Sequence, residues 1–284
     1  MIPKNIYVFW HEDRLPLITY KLFLNIKQKN PDFKVIKFSD KDVLKIKDKP
    51  EFFNTVLFKD KTRVSDWLRI YLLYHYGGVW IDINCFFLNK SLNDIIDFSI
   101  PKVQGFNLFG DIFENWMIAS PPKNKLMELW FFETENCLHR KYSYCIENSH
   151  LYNNGHPLTE QLPHLAQHLA FFKVISEHNL EEHYLSIGKA VDKNNPLSLL
   201  KEHKWKTKEI VSFILTSPNL NLELAFIKFR GPERRYLISR IQKKEYNPKS
   251  YFVRMLNLDN HHLISKRKKK YTNKHYSKKN IVSK

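Results

Sequence analysis

The chain has 284 residues, 43% hydrophobic and 14% aromatic, enough apolar material for one large domain or two small ones. Seven glycines and 13 prolines exclude a fibrous or low-complexity protein. The net charge is +17, but nine of the 46 Lys/Arg residues lie within Lys266–Lys284 without an acid, so about half of the excess belongs to a polar tail.

In chain order, the apolar run over Lys4–His11 (KNIYVFWH) predicts a first buried strand. Apolar residues at helical spacing over Leu17–Lys29 predict a helix stopped by Asn30-Pro31. Phe33–Phe38 reads as a second strand, and Ser39-Asp40 opens another helix. This alternation argues for a parallel α/β sheet. Thr62–Tyr76 is apolar nearly all round, so it predicts a buried helix, with Gly77-Gly78 as its stop. Val79–Phe87 is a β-prone run expected of a central strand. A short helix is expected over Ser91–Asp97, a strand near Ile118, and helices over Lys123–Glu135 and Leu158–Glu177. Strands are expected at Ile210–Leu215 and Ala225–Phe229, and a loop or insertion over 136–156.

The three cysteines (Cys85, Cys137, Cys145) lack zinc spacing and predict a reduced thiol set. The opening MIPKNIYVFWHEDR does not have the form of a signal peptide, and no run approaches the roughly 20 apolar residues of a spanning helix. The expectation is a cytoplasmic protein, with the basic tail at 266–284 able to rest on an anionic membrane surface. The same tail would also suit nucleic acid, but no recognition motif accompanies it.

The segment TRVSDWLRIYLLYHYGGVWIDINCFFLN (62–89) carries the strongest chemical signal. Asp66 and Arg69 stand one turn apart and face the same side of a helix. Asp82 and Asn84 stand two apart, hence on one face of a strand. Taken singly, the first pair reads more readily as an internal ion pair and the second as a turn after the strand. As a site, oxygen ligands at the end of a strand suit magnesium or manganese shared with nucleotide phosphates.

Together, Ser65-Asp66-Trp67-Leu68-Arg69 and Tyr76-Gly77-Gly78-Val79-Trp80-Ile81-Asp82-Ile83-Asn84 resemble the signature of sugar-transferring glycosyltransferases with a DXD motif. The resemblance is strongest to the capsular polysaccharide synthesis protein family. IPKNIYVFWH (2–11), NPDFKVIKFSDKD (30–42) and FENWMIASPPKNKLMELW (113–130) are similar to further segments of that family, so the likeness covers about residues 2–135. Asn84 departs from the pattern, standing where a second acid is usual.

The resemblance implies a GT-A fold, a Rossmann-like, mostly parallel sheet flanked by helices, with helical additions in the C-terminal half. It implies one domain over 1–260, with a nucleotide-sugar-binding part at 1–100, an acceptor-side part at 101–260, and a basic tail at 261–284. It implies transfer from a nucleotide sugar to a glycan or lipid-linked acceptor in surface-polysaccharide synthesis, with retention and with manganese or magnesium. By match of residues, Asp82 and Asn84 would hold the metal, and Asp66 and Arg69 the donor sugar and diphosphate. Trp10 would lie beside the base, and Gly78 would let the backbone approach the donor. Lesser candidates are the His164/His168 pair with Glu160, the Ser217-Pro218 step, and the basic groups Arg230-Gly231-Pro232 and Arg234-Arg235. Two other classes stand beside this reading: a polyanion-binding protein and a glycan-binding pseudoenzyme on the same fold.

Overall fold

The computed structural model describes residues 1–50, 53, 59–108, 112–140, 142–148, 166–180, 185–189, 195–220 and 223–259. The tail at 261–284, Glu160 and His164 lie outside the described residues.

Strands β1 (Asn5–Phe9) and β2 (Lys34–Phe38) flank helix α1 (Leu17–Lys29), and α2 (Asp40–Leu44) and α3 (Lys61–Tyr76) follow. Next come β3 (Gly78–Ile81), β4 (Cys85–Phe87), β5 (Val103–Leu108) and β6 (Ile112–Ser120). The sheet β2-β1-β3-β6-β5 is completed by β7 (Leu185–Lys189). The β1–β2, β1–β3 and β5–β7 pairings are parallel, and β6 runs antiparallel to both its neighbours, so the sheet is mixed but mostly parallel.

Alternation along the strands divides the core. Ile6, Val8, Val79 and Ile81 face one apolar layer, and Tyr7, Phe9 and Trp80 the other. The first layer is covered by α1 and by α8 (Thr207–Thr216), which follows α7 (Ser198–Glu202). The second is covered by α3, α4 (Lys125–Arg140) and α6 (Ala166–His178), between which α5 (Tyr142–Glu147) is inserted. The two-residue period of the strands thus builds a three-layer α/β sandwich with one sheet between two helical layers.

Three expectations are corrected. The strand foreseen over Val79–Phe87 breaks at Asp82–Asn84: β3 stays in the main sheet, while β4 pairs with β8 (Phe226–Lys228) in a separate two-stranded sheet. Ile210–Leu215 is helical, because Ile210, Val211, Ile214 and Leu215 recur at helical spacing and are all buried. The described part of 136–156 is not a loop: α4 continues to Arg140, and α5 follows. The chain then forms α9 (Gly231–Gln242) and α10 (Tyr251–Met255). No helix among the described residues is long and apolar enough to cross a membrane.

Candidate functional site

Helix α3 begins at Asp60, whose carboxylate accepts from the Thr62 and Arg63 amides at 3.0 and 3.4 Å. It ends at Gly77, at φ +62, where a side chain would meet the Pro122 nitrogen at 2.6 Å. These fixed ends hold a helix that is buried from Val64 to Leu73 at most positions, and Asp66 and Arg69 are buried with it, each 3% exposed. Arg69 Nη1 donates to Asp66 Oδ1 at 2.9 Å and to Gln167 Oε1 at 2.5 Å, and Arg63 Nη1 donates to Asp66 Oδ2 at 3.1 Å. Gln167 on α6 donates in turn to the Asp66 carbonyl at 2.7 Å and accepts from Asn115 at 2.8 Å. Burial pushes the Asp66 carboxyl above its ordinary range, opposed by the charges of Arg69 and Arg63.

Arg69 also joins the two halves of the motif. Its Nη2 donates to Asp82 Oδ1 at 3.3 Å, and its guanidinium carbon lies 5.0 Å from the centre of the Trp80 ring. The Trp80 indole N–H donates to the same Asp82 oxygen at 3.1 Å. Arg69 Nε is buried with no hydrogen-bond partner among the described residues.

Asp82 and Asn84 sit in the turn between β3 and β4 rather than on one strand face. They converge on a third side chain that sequence reasoning missed. Lys228 Nζ donates to Asp82 Oδ2 at 2.5 Å and to Asn84 Oδ1 at 2.8 Å. The β4–β8 register places Lys228 opposite Cys85 and so aims it at the turn. Its side chain is 8% exposed, whereas that of Asp82 is 27% exposed. The surrounding protein opposes ionisation of Asp82, but the Lys228 and Arg69 charges win and hold its carboxyl below the usual range. The one signal in the sequence was a lysine interrupting the apolar run Ala225–Phe229.

Trp10 and Asp82 lie just beyond the C-terminal ends of β1 and β3. These strands are parallel, with Tyr7 opposite Trp80, so the same register sets Phe9 level with Asp82. Ligand clefts of open α/β sheets form at such strand ends. Gly78 lies at the other end of β3, four residues or roughly 13 Å away. A Cβ there would meet the Asn5 carbonyl of β1 at 2.8 Å, so its close approach is to a neighbouring strand, not to a ligand beside Asp82.

Of the C-terminal basic candidates, Arg230 binds Glu233 through Nε at 2.9 Å and Nη2 at 2.6 Å and lies over Trp205, a cap for α9. Arg235 is exposed. Arg234 instead packs over Trp10, its guanidinium carbon 5.2 Å from the ring centre. Ser217 and Pro218 lend their carbonyls to Tyr251 and Arg254, a packing role against α10.

Two more ionisable groups border the site. Glu114, inside the FENW segment but without an expected role, lies on β6 two residues from Trp116, whose carbonyl accepts from the Asp82 amide at 2.8 Å. Burial pushes its carboxyl up to about 7, against the pull of the Lys228 ammonium. His168 is buried beside Gln167, and burial lowers it to about 4, with Arg69 and Arg63 adding repulsion.

Several solved structures align with the chain, three of them as follows. The PaToxG glycosyltransferase is 15% identical over 83% of this chain and 84% of its own, at a TM-score of 0.40. A glycosyltransferase involved in glycosylating the major capsid of PBCV-1 is 11% identical over 85% and 100%, at 0.44. The ligand-free glycosyltransferase domain of the YGT toxin is 10% identical over 86% and 90%, at 0.40. No curated protein sequence matches. The family model described as "Capsular polysaccharide synthesis protein" matches residues 1–144, the half of the chain that holds α3, β3 and the Asp82 turn. On that match the chain belongs to the capsular polysaccharide synthesis protein family.

Proposed function

We propose that this protein is a glycosyltransferase that moves a sugar from a nucleotide sugar to a glycan or lipid-linked acceptor in surface-polysaccharide synthesis. The observation that carries this reading is the convergence of Asp66, Arg69 and Asp82, separate in sequence, at the C-terminal ends of β1 and β3. Trp10, just past the end of the neighbouring strand β1 and under the Arg234 guanidinium, offers apolar ring surface to a base. Arg69 is the residue to grip diphosphate or sugar oxygens, being planar, always charged and fixed by Asp66 and Gln167. Residues 1–100 then form the donor side and 101–260 the acceptor side of one domain. The tail at 266–284 would hold the enzyme at the cytoplasmic face of an anionic membrane.

In the reaction, the bond from the anomeric carbon to the diphosphate oxygen breaks and its electron pair stays on that oxygen. The acceptor hydroxyl oxygen bonds to the anomeric carbon and its proton passes to the departing diphosphate, which leaves the configuration retained. Positive charge held in place before the bond breaks is the main catalytic device for such a leaving group.

The divalent metal implied by the family resemblance meets a donor set that does not fit it. Asp82 and Asn84 together supply one negative charge, and the oxygens they turn toward each other are already bridged by the Lys228 ammonium. Magnesium or manganese would complete its shell with phosphate and water oxygens, but the two protein oxygens that would face it are held by an ammonium whose charge repels a second cation. No step above therefore runs through a metal.

The test is a screen of UDP-, GDP- and CMP-sugars by thermal shift and then by hydrolysis, with and without manganese. Donor-specific stabilisation followed by release of the nucleotide supports the reading. A polyanion-binding protein would instead bind duplex DNA in a salt-dependent way after deletion of residues 266–284.

A further inference from the structure

Asn84 uses both ends of its amide. Its Oδ1 accepts from Lys228 at 2.8 Å, and its Nδ2 donates to the Phe229 carbonyl at 2.5 Å. The Phe229 amide returns a hydrogen bond to the Asn84 carbonyl at 3.1 Å. A carboxylate at position 84 has no N–H, so it would set an anionic oxygen against the Phe229 carbonyl. The amide is therefore the residue that suits this neighbourhood, and it belongs with Lys228. The second acid is missing where the chain supplies a cation of its own.

A second cation stands close by. Arg234 lies over Trp10, is partly buried, and its side chain makes no hydrogen bond among the described residues. Asp82 is the acid whose charge acts on it, yet the two form no ion pair. A partly buried guanidinium that gives none of its side-chain donors to the protein can offer them to an anion. Lys228 and Arg234 together carry the charge of one divalent ion and flank Asp82 and Trp10.

We propose that Lys228 and Arg234 take the place of a divalent cation, holding the donor's diphosphate and neutralising the charge that develops on it. Donor binding is then independent of metal. This rests on the nucleotide-sugar reading above and adds to it a diphosphate site made of side chains alone.

Isothermal titration of the full chain with UDP, GDP and ADP, in EDTA and again in manganese, tests it. At least one nucleoside diphosphate should bind in EDTA within about threefold of its affinity in manganese. Loss of one charged hydrogen bond should weaken that binding roughly 10- to 100-fold in Lys228→Met. Arg234→Gln, at a site without ion pairs, should do the same and guards against a folding failure of the first variant. The double variant Asn84→Asp/Lys228→Met should bind only with manganese. Binding that needs manganese in the wild type, with both single variants unchanged, overturns the proposal and leaves the glycosyltransferase reading standing. No binding of any nucleoside diphosphate in either condition overturns both.

Discussion

Replacing Arg69 with Gln removes a side chain that joins α3, α6 and the Asp82 turn. Arg69 and Asp66 have side chains only 4% exposed and sit 2.9 Å apart, so solvent does not screen them. Breaking a buried pair by deleting one partner costs about 3–5 kcal/mol, since the other charge is left uncompensated. Arg63 remains 3.1 Å from Asp66, and burial already pushes the Asp66 carboxyl up, so it can take a proton instead. The lower end, about 3 kcal/mol, is therefore expected, which at 2–4 °C per kcal/mol is a fall in Tm of roughly 6–12 °C. The sign with pH follows. Without Arg69, the folded-state pKa of Asp66 rises further above its unfolded value, so stability falls as pH rises. The deficit should be larger at pH 8 than at pH 5.5. Circular-dichroism melting of the wild type, Arg69→Gln and Asp66→Asn/Arg69→Gln at both pH values reads this directly. The double variant, having no buried charge to strand, should regain at least half of the loss. A fall below about 2 °C, or a deficit equal at both pH values with no recovery in the double variant, refutes the account of this brace.

Other expectations follow from the same geometry. Glu114→Gln should flatten the pH dependence of nucleotide-sugar affinity, measured by titration from pH 6 to 8.5. In the wild type, affinity should fall as Glu114 ionises through about 7 and adds negative charge beside Lys228 and Asp82. His168 is neutral when folded down to about pH 4, while the unfolded chain takes up that proton near 6.5. Its contribution is complete above 6.5 and is lost as pH falls toward 4, roughly 3 kcal/mol in all, so His168→Gln should shallow the acid side of the stability profile. Gly77→Ala should cost about 2–3 kcal/mol in chemical denaturation, because φ is +62 and the new methyl would meet Pro122. A value under about 0.5 kcal/mol would show that the turn relaxes freely.

Local periodicity made the first half of the fold legible. Leu17–Lys29 was read with both ends correct, and α3 differs from its expected span by one residue at its start, since its caps are written into the chain as Asp60 and Gly77. The strand over Val79–Phe87 was misread because its apolar run continues through the point where the backbone leaves the sheet. What breaks it is tertiary: Asp82 is drawn to Arg69 and Lys228, and β4 is drawn to β8. Ile210–Leu215 was misread for a related reason. A short apolar run does not tell strand from helix by itself, and here burial of one face decided for helix. In the site, Asp66, Arg69, Asp82 and Asn84 were visible as polar residues within an apolar segment. Lys228 was not, because it stands 144 residues beyond Asn84 and meets it only through strand pairing. Glu114 was hidden likewise, its unusual ionisation arising from burial on the interior strand β6.

The central claim is that a nucleotide sugar is bound and cleaved where Arg69, Asp82 and Lys228 meet. The most direct measurement is turnover of the donor selected by the sugar-nucleotide screen, compared between the wild type and Asp82→Ala. Both proteins should give the same circular-dichroism spectrum. The account predicts released nucleotide from the wild type and a loss of at least ~100-fold in the variant. Equal turnover by the two proteins would contradict it.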